Sequence, residues 1–349
     1  MQTRGCANLL PRHQRDFALN QWRAGLGCRT REQQKKFQRY SNKNRAMQYI
    51  AEMNPELNLQ TRYFDTADGI RLHAKVCGPN HAGDAPTLLF VHGFPEFWYS
   101  WRKQLAEFSK DYRCVAIDLR GFNLSSQPTE VAAYKPALLV ADLCAVINEL
   151  GAPVHAVIAH DWGGAVSWSL AAQHPELMGK FVVLNSPHAI TFAHALATDP
   201  AQQAASQYMN WLRRPGSEAV LVENDFKRLF DMLGTLSDEE RAAYRACWQH
   251  GLTGGVNLYR VSPLHPDTPE KPGKAALVVA ALKPEQFQVK VPTQIVWGNT
   301  DRALLPILLD GIEQHVSDLA VHRIDGAGHW LARENAVEVN QVIRAFLAS

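Results

Sequence analysis

Ala159-His160-Asp161-Trp162-Gly163-Gly164 decides the reading of this 349-residue chain. It ends an apolar run over residues 154–159 and opens an amphipathic stretch over 163–174, so it is a turn from strand to helix. Small residues at Ala159 and Gly163 bracket Asp161, as a sharp turn needs if its central side chain is to stand clear of the backbone. Asp161 thus holds the place that serine takes in the G-x-S-x-G form of this elbow. A carboxylate needs no base to become nucleophilic, and the helix N-terminus beside it favours the anion. Such a group suits displacement at a tetrahedral carbon. Taken alone, an Asp here is just as well a helix N-cap, and the rest of the chain has to decide.

Outward from the elbow, short apolar runs alternate with helical patterns. Residues 87–91, 114–117, 154–159, 181–184, 293–297 and 319–324 read as strands. Tyr63–Phe64 and residues 70–76 flank the turn signal Ala67-Asp68-Gly69 as a hairpin. Amphipathic stretches at 135–150, 163–174, 304–315 and 334–347 read as helices. Buried parallel strands with helices over them are the simplest packing, an α/β fold with a mostly parallel sheet. The rhythm breaks once, between Pro187 and about Pro292, where helical patterns rich in Trp, Tyr and Arg take over. The expected organisation is a core of residues 57–187 and 290–349 with a helical cap, 188–289, inserted in it. The Pro-rich stretch 263–272 reads as the loop leaving the cap.

Two later strand ends supply partners for Asp161. Asp301 lies in Val296-Trp-Gly-Asn-Thr-Asp301, and His329 in Gly326-Ala-Gly-His-Trp330. Nucleophile, acid, histidine is the chain order that this elbow uses, with the acid orienting the base. Near the front, Val91-His-Gly-Phe-Pro95 leaves a strand in a turn that offers the Phe94 N–H to an oxyanion, and the Trp162 N–H is the natural second donor. His92 and His160 lack metal-ligand spacing and read as structural hydrogen-bonding residues, so no metal site is expected. Neither a G-x-x-x-x-G-K-[ST] nor a G-x-G-x-x-G stretch occurs, and no nucleotide cofactor is implied.

Composition sets the outer limits. With 46% hydrophobic and 20% charged residues the chain is globular in profile, and 36 Lys+Arg against 34 Asp+Glu leave a charge of +2. Residues 1–50 carry eleven basic side chains and two acidic ones. They lack sustained periodicity and read as a poorly ordered basic extension, or as an upstream stretch read through to a later start such as Met47. The remaining body is mildly acidic, which argues against nucleic acid as a partner. The longest clean apolar run, 275–282, is far short of the ~20 residues of a membrane span. The first thirty residues lack an apolar signal core. Six cysteines (Cys6, Cys28, Cys77, Cys114, Cys144, Cys247) show no C-x-x-C pair, and free thiols in a reducing, cytoplasmic setting are expected.

From about Leu57 to Ala348 the chain resembles the α/β-hydrolase superfamily, and its motifs resemble those of the epoxide hydrolases. The matching stretches are His92-Gly-Phe-Pro-Glu-Phe-Trp-Tyr-Ser-Trp-Arg102, Asp118-Leu-Arg-Gly-Phe122, His160-Asp-Trp-Gly-Gly164, Asn257-Leu-Tyr-Arg260 and Gly328-His-Trp330. In Asp118-Leu-Arg-Gly-Phe-Asn-Leu-Ser-Ser126, Asn123 stands where many relatives have glycine, a variation of the loop. The resemblance implies a lipophilic epoxide and water as substrates, an ester on Asp161, and two cap tyrosines on the epoxide oxygen. Tyr259 falls on the second of these. Tyr208, ahead of Arg214-Pro-Gly216, falls on the first, with Tyr244 as the fallback. Trp211, Phe226, Phe230 and Trp248 are the cap side chains expected to set the pocket's size. The competing readings are a haloalkane or other dehalogenase with the same Asp/His/acid set, and a catalytically silent hydrolase fold that binds a ligand or partner.

Overall fold

The computed structural model describes residues 57–66, 68–79 and 85–349; the basic extension over 1–50 lies outside them. Eight strands form one sheet: β1 (Gln60–Asp65), β2 (Arg71–Cys77), β3 (Thr87–Val91), β4 (Arg113–Ile117), β5 (Val154–His160), β6 (Met178–Leu184), β7 (Thr293–Gly298) and β8 (Leu319–Ile324). Their order is β1-β2-β4-β3-β5-β6-β7-β8. The pairs β1/β2 and β2/β4 are antiparallel, and every later pair is parallel. Leu88 to Val91 of β3 and Ala156 to Ala159 of β5 are wholly buried. Apolar residues fill both faces of these strands because helices cover both sides. β3 has β4 on one side and β5 on the other, so the chain leaves it in opposite directions, and a crevice opens beyond its C-terminal end. The register Val91↔Ala159 brings the loops after β3 and β5 together there.

In chain order, α1 (Arg102–Phe108), α2 (Pro136–Leu150) and α3 (Asp161–Gln173) pack on the sheet. Then α4 (Ala189–Thr198), α5 (Pro200–Ala205), α6 (Gln207–Leu212), α7 (Ser217–Leu233), α8 (Asp238–Trp248), α9 (Thr253–Val261) and α10 (Lys274–Ala281) lie between β6 and β7, and α11 (Leu331–Glu334) and α12 (Ala336–Ala348) close the chain. Positive φ from Asn224 to Phe226 breaks α7 in its middle. A capping box of Ser237 and Glu240 starts α8, and Glu240 also pairs with Arg102 of α1. From α11, Arg333 donates to the carbonyls of Leu233 and Thr235 just beyond the end of α7. These contacts tie the inserted helices to the sheet layer.

Two local expectations change. Residues 304–315 are two short 3₁₀ segments, Pro306–Leu309 and Ile312–Gln314, instead of one helix. Pro306 removes a donor, and Gly311 at φ +78° turns the chain between them. The Pro-rich loop after α9 does not end the helical insertion, because α10 follows it; Leu277 of α10 is 72% exposed. Asn123 sits at φ +46°, a conformation that Asn tolerates, and its side-chain amide donates to Asp118 Oδ2 at 2.7 Å.

Arg120 is 1% exposed and meets Asp142 through two hydrogen bonds of 2.6 Å, with Ala133 O at 2.8 Å and Asp68 at 2.9 Å. Removing its main partner strands a buried guanidinium. Asp142→Ala should therefore cost about 3–5 kcal/mol in urea unfolding. A loss below about 1 kcal/mol would mean that Asp68 and water replace the carboxylate.

Candidate active site

Asp161 begins α3 at φ +49°, a left-handed conformation rare outside glycine and a mark of stored strain. Three contacts hold the turn. The Phe94 N–H donates to Asp161 Oδ1 at 2.7 Å, and the Ser186 hydroxyl donates to the Asp161 carbonyl at 2.7 Å. Gly163 provides the third, because a Cβ there would sit 2.4 Å from the carbonyl oxygens of Val91 and His92. The Trp162 N–H belongs to the first turn of α3, where backbone donors have no acceptor within the helix.

His329, in the loop after β8, lies with Nε2 3.7 Å from Asp161 Oδ2 and Nδ1 2.7 Å from Asp301 Oδ2. Asp301, after β7, is buried and heavily bonded. Its Oδ1 accepts from the N–H groups of Ala303 (2.8 Å) and Leu304 (3.0 Å), and its Oδ2 from the Asn185 amide (2.6 Å). Burial works to raise the Asp301 pKa, but the His329 charge and hydrogen bond, with the two backbone donors, bring it down to about 2. Burial likewise disfavours charge on His329. The Asp301 carboxylate outweighs that, Asp161 and Glu96 add to it, and the pKa rises to about 9. At neutral pH the resting site thus holds an imidazolium between two carboxylates.

Tyr208 on α6 and Tyr259 on α9 face one another, ring centroids 6.1 Å apart, over a cavity that Asp161 also lines. The Tyr259 ring stands edge-on to Phe94 (5.4 Å), whose amide holds Asp161, and to Trp162 (5.0 Å), the residue after Asp161. Burial, then the nearby carboxylates Asp161 and Asp301, raise the Tyr208 pKa, and burial together with Tyr208 and Asp161 does the same for Tyr259. Both phenols therefore remain protonated donors. Arg213, one residue past α6, donates to the carbonyls of Tyr259 and Ser262, so it fastens the end of α9 to the helix that carries Tyr208. Tyr244 is elsewhere: its hydroxyl donates to Glu96 Oε1 at 2.7 Å.

Sequence reasoning passed over Asn185, Ser186, Glu96 and Arg213. Asn185 also accepts from the Gly298 N–H at 2.9 Å, so it joins the ends of β6 and β7 and fixes Asp301. Asn185-Ser186-Pro187 at a strand end was the signal available. Glu96 lies 3.3 Å from His160 Nδ1, and His160 Nε2 is 2.9 Å from the His329 carbonyl oxygen. His92 uses Nδ1 toward Gly93 O (2.8 Å) and accepts from the Leu119 N–H (3.1 Å), so both ring nitrogens are occupied.

The cavity holds 290 Å³ and is lined mostly by carbon. Among the cap aromatics expected to size it, none lines it. Phe226 and Phe230 pack on Trp248 at 5.5 and 4.9 Å, and Arg228 covers Trp211 at 5.5 Å. Phe192, Met209, Leu258 and Leu264 are among the residues that form its walls instead.

Comparisons with known proteins agree with this architecture. Residues 86–336 match the family described as alpha/beta hydrolase fold. Epoxide hydrolase 1 of Caenorhabditis elegans is 33% identical over 80% of this chain and 68% of its own length. Epoxide hydrolase 3 of Xenopus tropicalis is 34% identical over 80% of this chain and 75% of its own. Among solved structures, a mutant epoxide hydrolase from Bacillus megaterium in complex with its product (R)-3-[1]naphthyloxy-propane-1,2-diol superposes with a TM-score of 0.72. It is 31% identical and covers 82% of this chain and 100% of its own.

Gly93 gives a sharp test of the geometry. A Cβ there would sit 2.2 Å from Asp161 Oδ1 and 2.4 Å from Asp161 Cβ, so the carboxylate and the turn that carries it would both have to shift. Gly93→Ala should cut turnover roughly 100-fold with an unchanged circular dichroism spectrum; wild-type turnover would show that Asp161 need not sit where it does.

Proposed function

This chain belongs to the α/β-hydrolase fold family, in the company of the epoxide hydrolases, and from that premise we propose that it hydrolyses an epoxide to a vicinal diol through an ester on Asp161. The observation that carries the reading is the convergence on one carboxylate. Oδ1 lies in the Phe94 N–H, Oδ2 faces His329, and two phenols stand over the same cavity.

Ring strain makes an epoxide carbon electrophilic, but the alkoxide that would leave is too basic to depart unaided. Tyr208 and Tyr259 donate to that oxygen as Asp161 Oδ2 attacks the less hindered carbon, and a phenol delivers the proton. The C–O bond of the ring breaks and an ester forms. Oδ1, still held by Phe94, becomes the carbonyl oxygen of that ester. Water then adds to its carbon while His329 Nε2 takes the proton, and Asp301 keeps the imidazole oriented through Nδ1. The amides of Phe94 and Trp162 hold the oxyanion, each worth ~3 kcal/mol. On collapse the C–O bond to the substrate breaks, His329 returns its proton to the departing diol oxygen, and the proton left on the new carboxyl group goes back to the phenolate, so Asp161 is again a carboxylate and contains one oxygen from water.

Esterification also readies the base. One of the charges that raises the His329 pKa to about 9 is that of Asp161. Once that charge is gone its share of the rise is lost and the pKa falls, which favours the neutral imidazole, while Asp301 goes on holding the pKa up. The diol in the Bacillus megaterium complex is a product of this kind. Among the described residues, no helix is long and apolar enough to cross a membrane. A cytoplasmic setting fits the free thiols of Cys77, Cys114, Cys144 and Cys247, the first two in register across β2 and β4.

Three experiments test the mechanism. His329→Gln should give one burst of ester and then stall, and single-turnover hydrolysis by the wild type in heavy-oxygen water should label Asp161; an unlabelled Asp161 rules out the ester. Ester breakdown needs neutral His329, so its rate should rise with pH and level off, with a midpoint below about 9 in single-turnover fluorescence. A rate that falls as pH rises would remove His329 as the base.

A further inference from the structure

Along α3 the cavity runs from partly buried Asp161 to exposed Gln173. Asp161, Ala165, Ser169 and Gln173 of α3 line it at spacings of four residues, so a single helix face runs from the nucleophile outward over about 18 Å. Exposure follows the same stripe: Ala165 and Ser169 are partly open, Gln173 is exposed, and of the residues in between only Trp162 and Val166 also reach the cavity wall. Leu282 and Phe287 line it too and are partly exposed, and Pro136 and Pro263 of the wall are exposed.

Next to the loop of Phe94 lies a packed aromatic block. Phe94, Phe97, Phe230, Tyr244 and Trp248 are each at most 4% exposed. Trp248 donates to Pro95 O at 2.7 Å, and Tyr244 packs on Phe97 at 5.5 Å. A Cβ on Gly255 would already sit 2.7 Å from the Phe94 ring. A guest whose ring reaches Asp161 meets this block on the Phe94 side, and its substituent has the α3 stripe to follow.

We propose that the substrates are terminal epoxides with a slender apolar tail, that the unsubstituted ring carbon is delivered to Asp161, and that Ala165 and Ser169 set which tails pass. This rests on the epoxide hydrolase reading above. At about 30 Å³ for each water-sized group, 290 Å³ accommodates about ten non-hydrogen atoms. A mid-chain epoxide of the same size has to place half its length against the aromatic block. Small side chains on the α3 stripe leave the tail its path, and a bulky one at either position closes it.

The test compares kcat/KM for the terminal epoxide of decane, its mid-chain cis isomer and the terminal epoxide of butane. The terminal decane epoxide should exceed its isomer by tenfold or more, on the order of what a pocket gains from shape alone. Ser169→Phe, and independently Ala165→Leu, should lower the ratio of decane to butane terminal epoxide by at least about tenfold. Equal use of the two decane isomers, or a ratio left at its wild-type value in both variants, overturns the proposal. Failure to form diol from any epoxide, with halide released from haloalkane controls instead, would overturn the reading of the reaction itself.

Discussion

A left-handed residue between a parallel strand and its helix is the constraint on which this site depends. Asp161 at φ +49° costs conformational energy, and the sheet around it makes the strain persist. β3 lies in register beside β5, which brings the Phe94 amide within 2.7 Å of the carboxylate. β6 supplies the residues after it, including Ser186, whose hydroxyl fixes the strained carbonyl. The strand order therefore acts on chemistry directly: neighbours in the sheet become neighbours around one residue.

Electrostatics then divides the labour. Three carboxylates surround one imidazole, yet each is held differently. Asp301 has protein donors on both oxygens and stays ionised. Asp161 has one oxygen bonded by backbone and the other facing His329. Glu96 sits behind, shared by Tyr244 and His160. An ion cluster this buried is stable only while all its partners remain. Tyr208 and Tyr259 complete it from the cap; burial first, and then the charge of Asp161 with other neighbours, raise their pKa values, so both phenols keep their protons.

The inner strands were legible because they are short and apolar on both faces; residues 87–91 are bounded in the structure as the sequence suggested, and so is the edge strand 319–324, although it is largely exposed and carries His322 and Arg323. Asp161, Asp301 and His329 were legible because each follows such a strand. The helix expected over 304–315 failed because amphipathic spacing outlasted the pattern's real length, with Pro306 and Gly311 as the overlooked stops. Asn185 and Arg213 act through contacts with residues 116 and 46 positions away, and no local pattern announces those. The same holds for the cap aromatics. Phe226, Phe230 and Trp248 look like pocket lining from composition, but they find one another and turn into a wall.

The carbon-rich lining of the cavity also bears on how a cycle ends. Hydrolysis turns one ether oxygen into two hydroxyl groups, which lie beside Asp161, Tyr208 and Tyr259, while the rest of the guest stays among Leu258, Leu264, Phe192 and Met209. Water solvates a diol better than the epoxide it came from, and a hydroxyl that loses its partner in an apolar site costs roughly 1–3 kcal/mol. The carbon wall that favours entry of the substrate therefore holds the product less firmly.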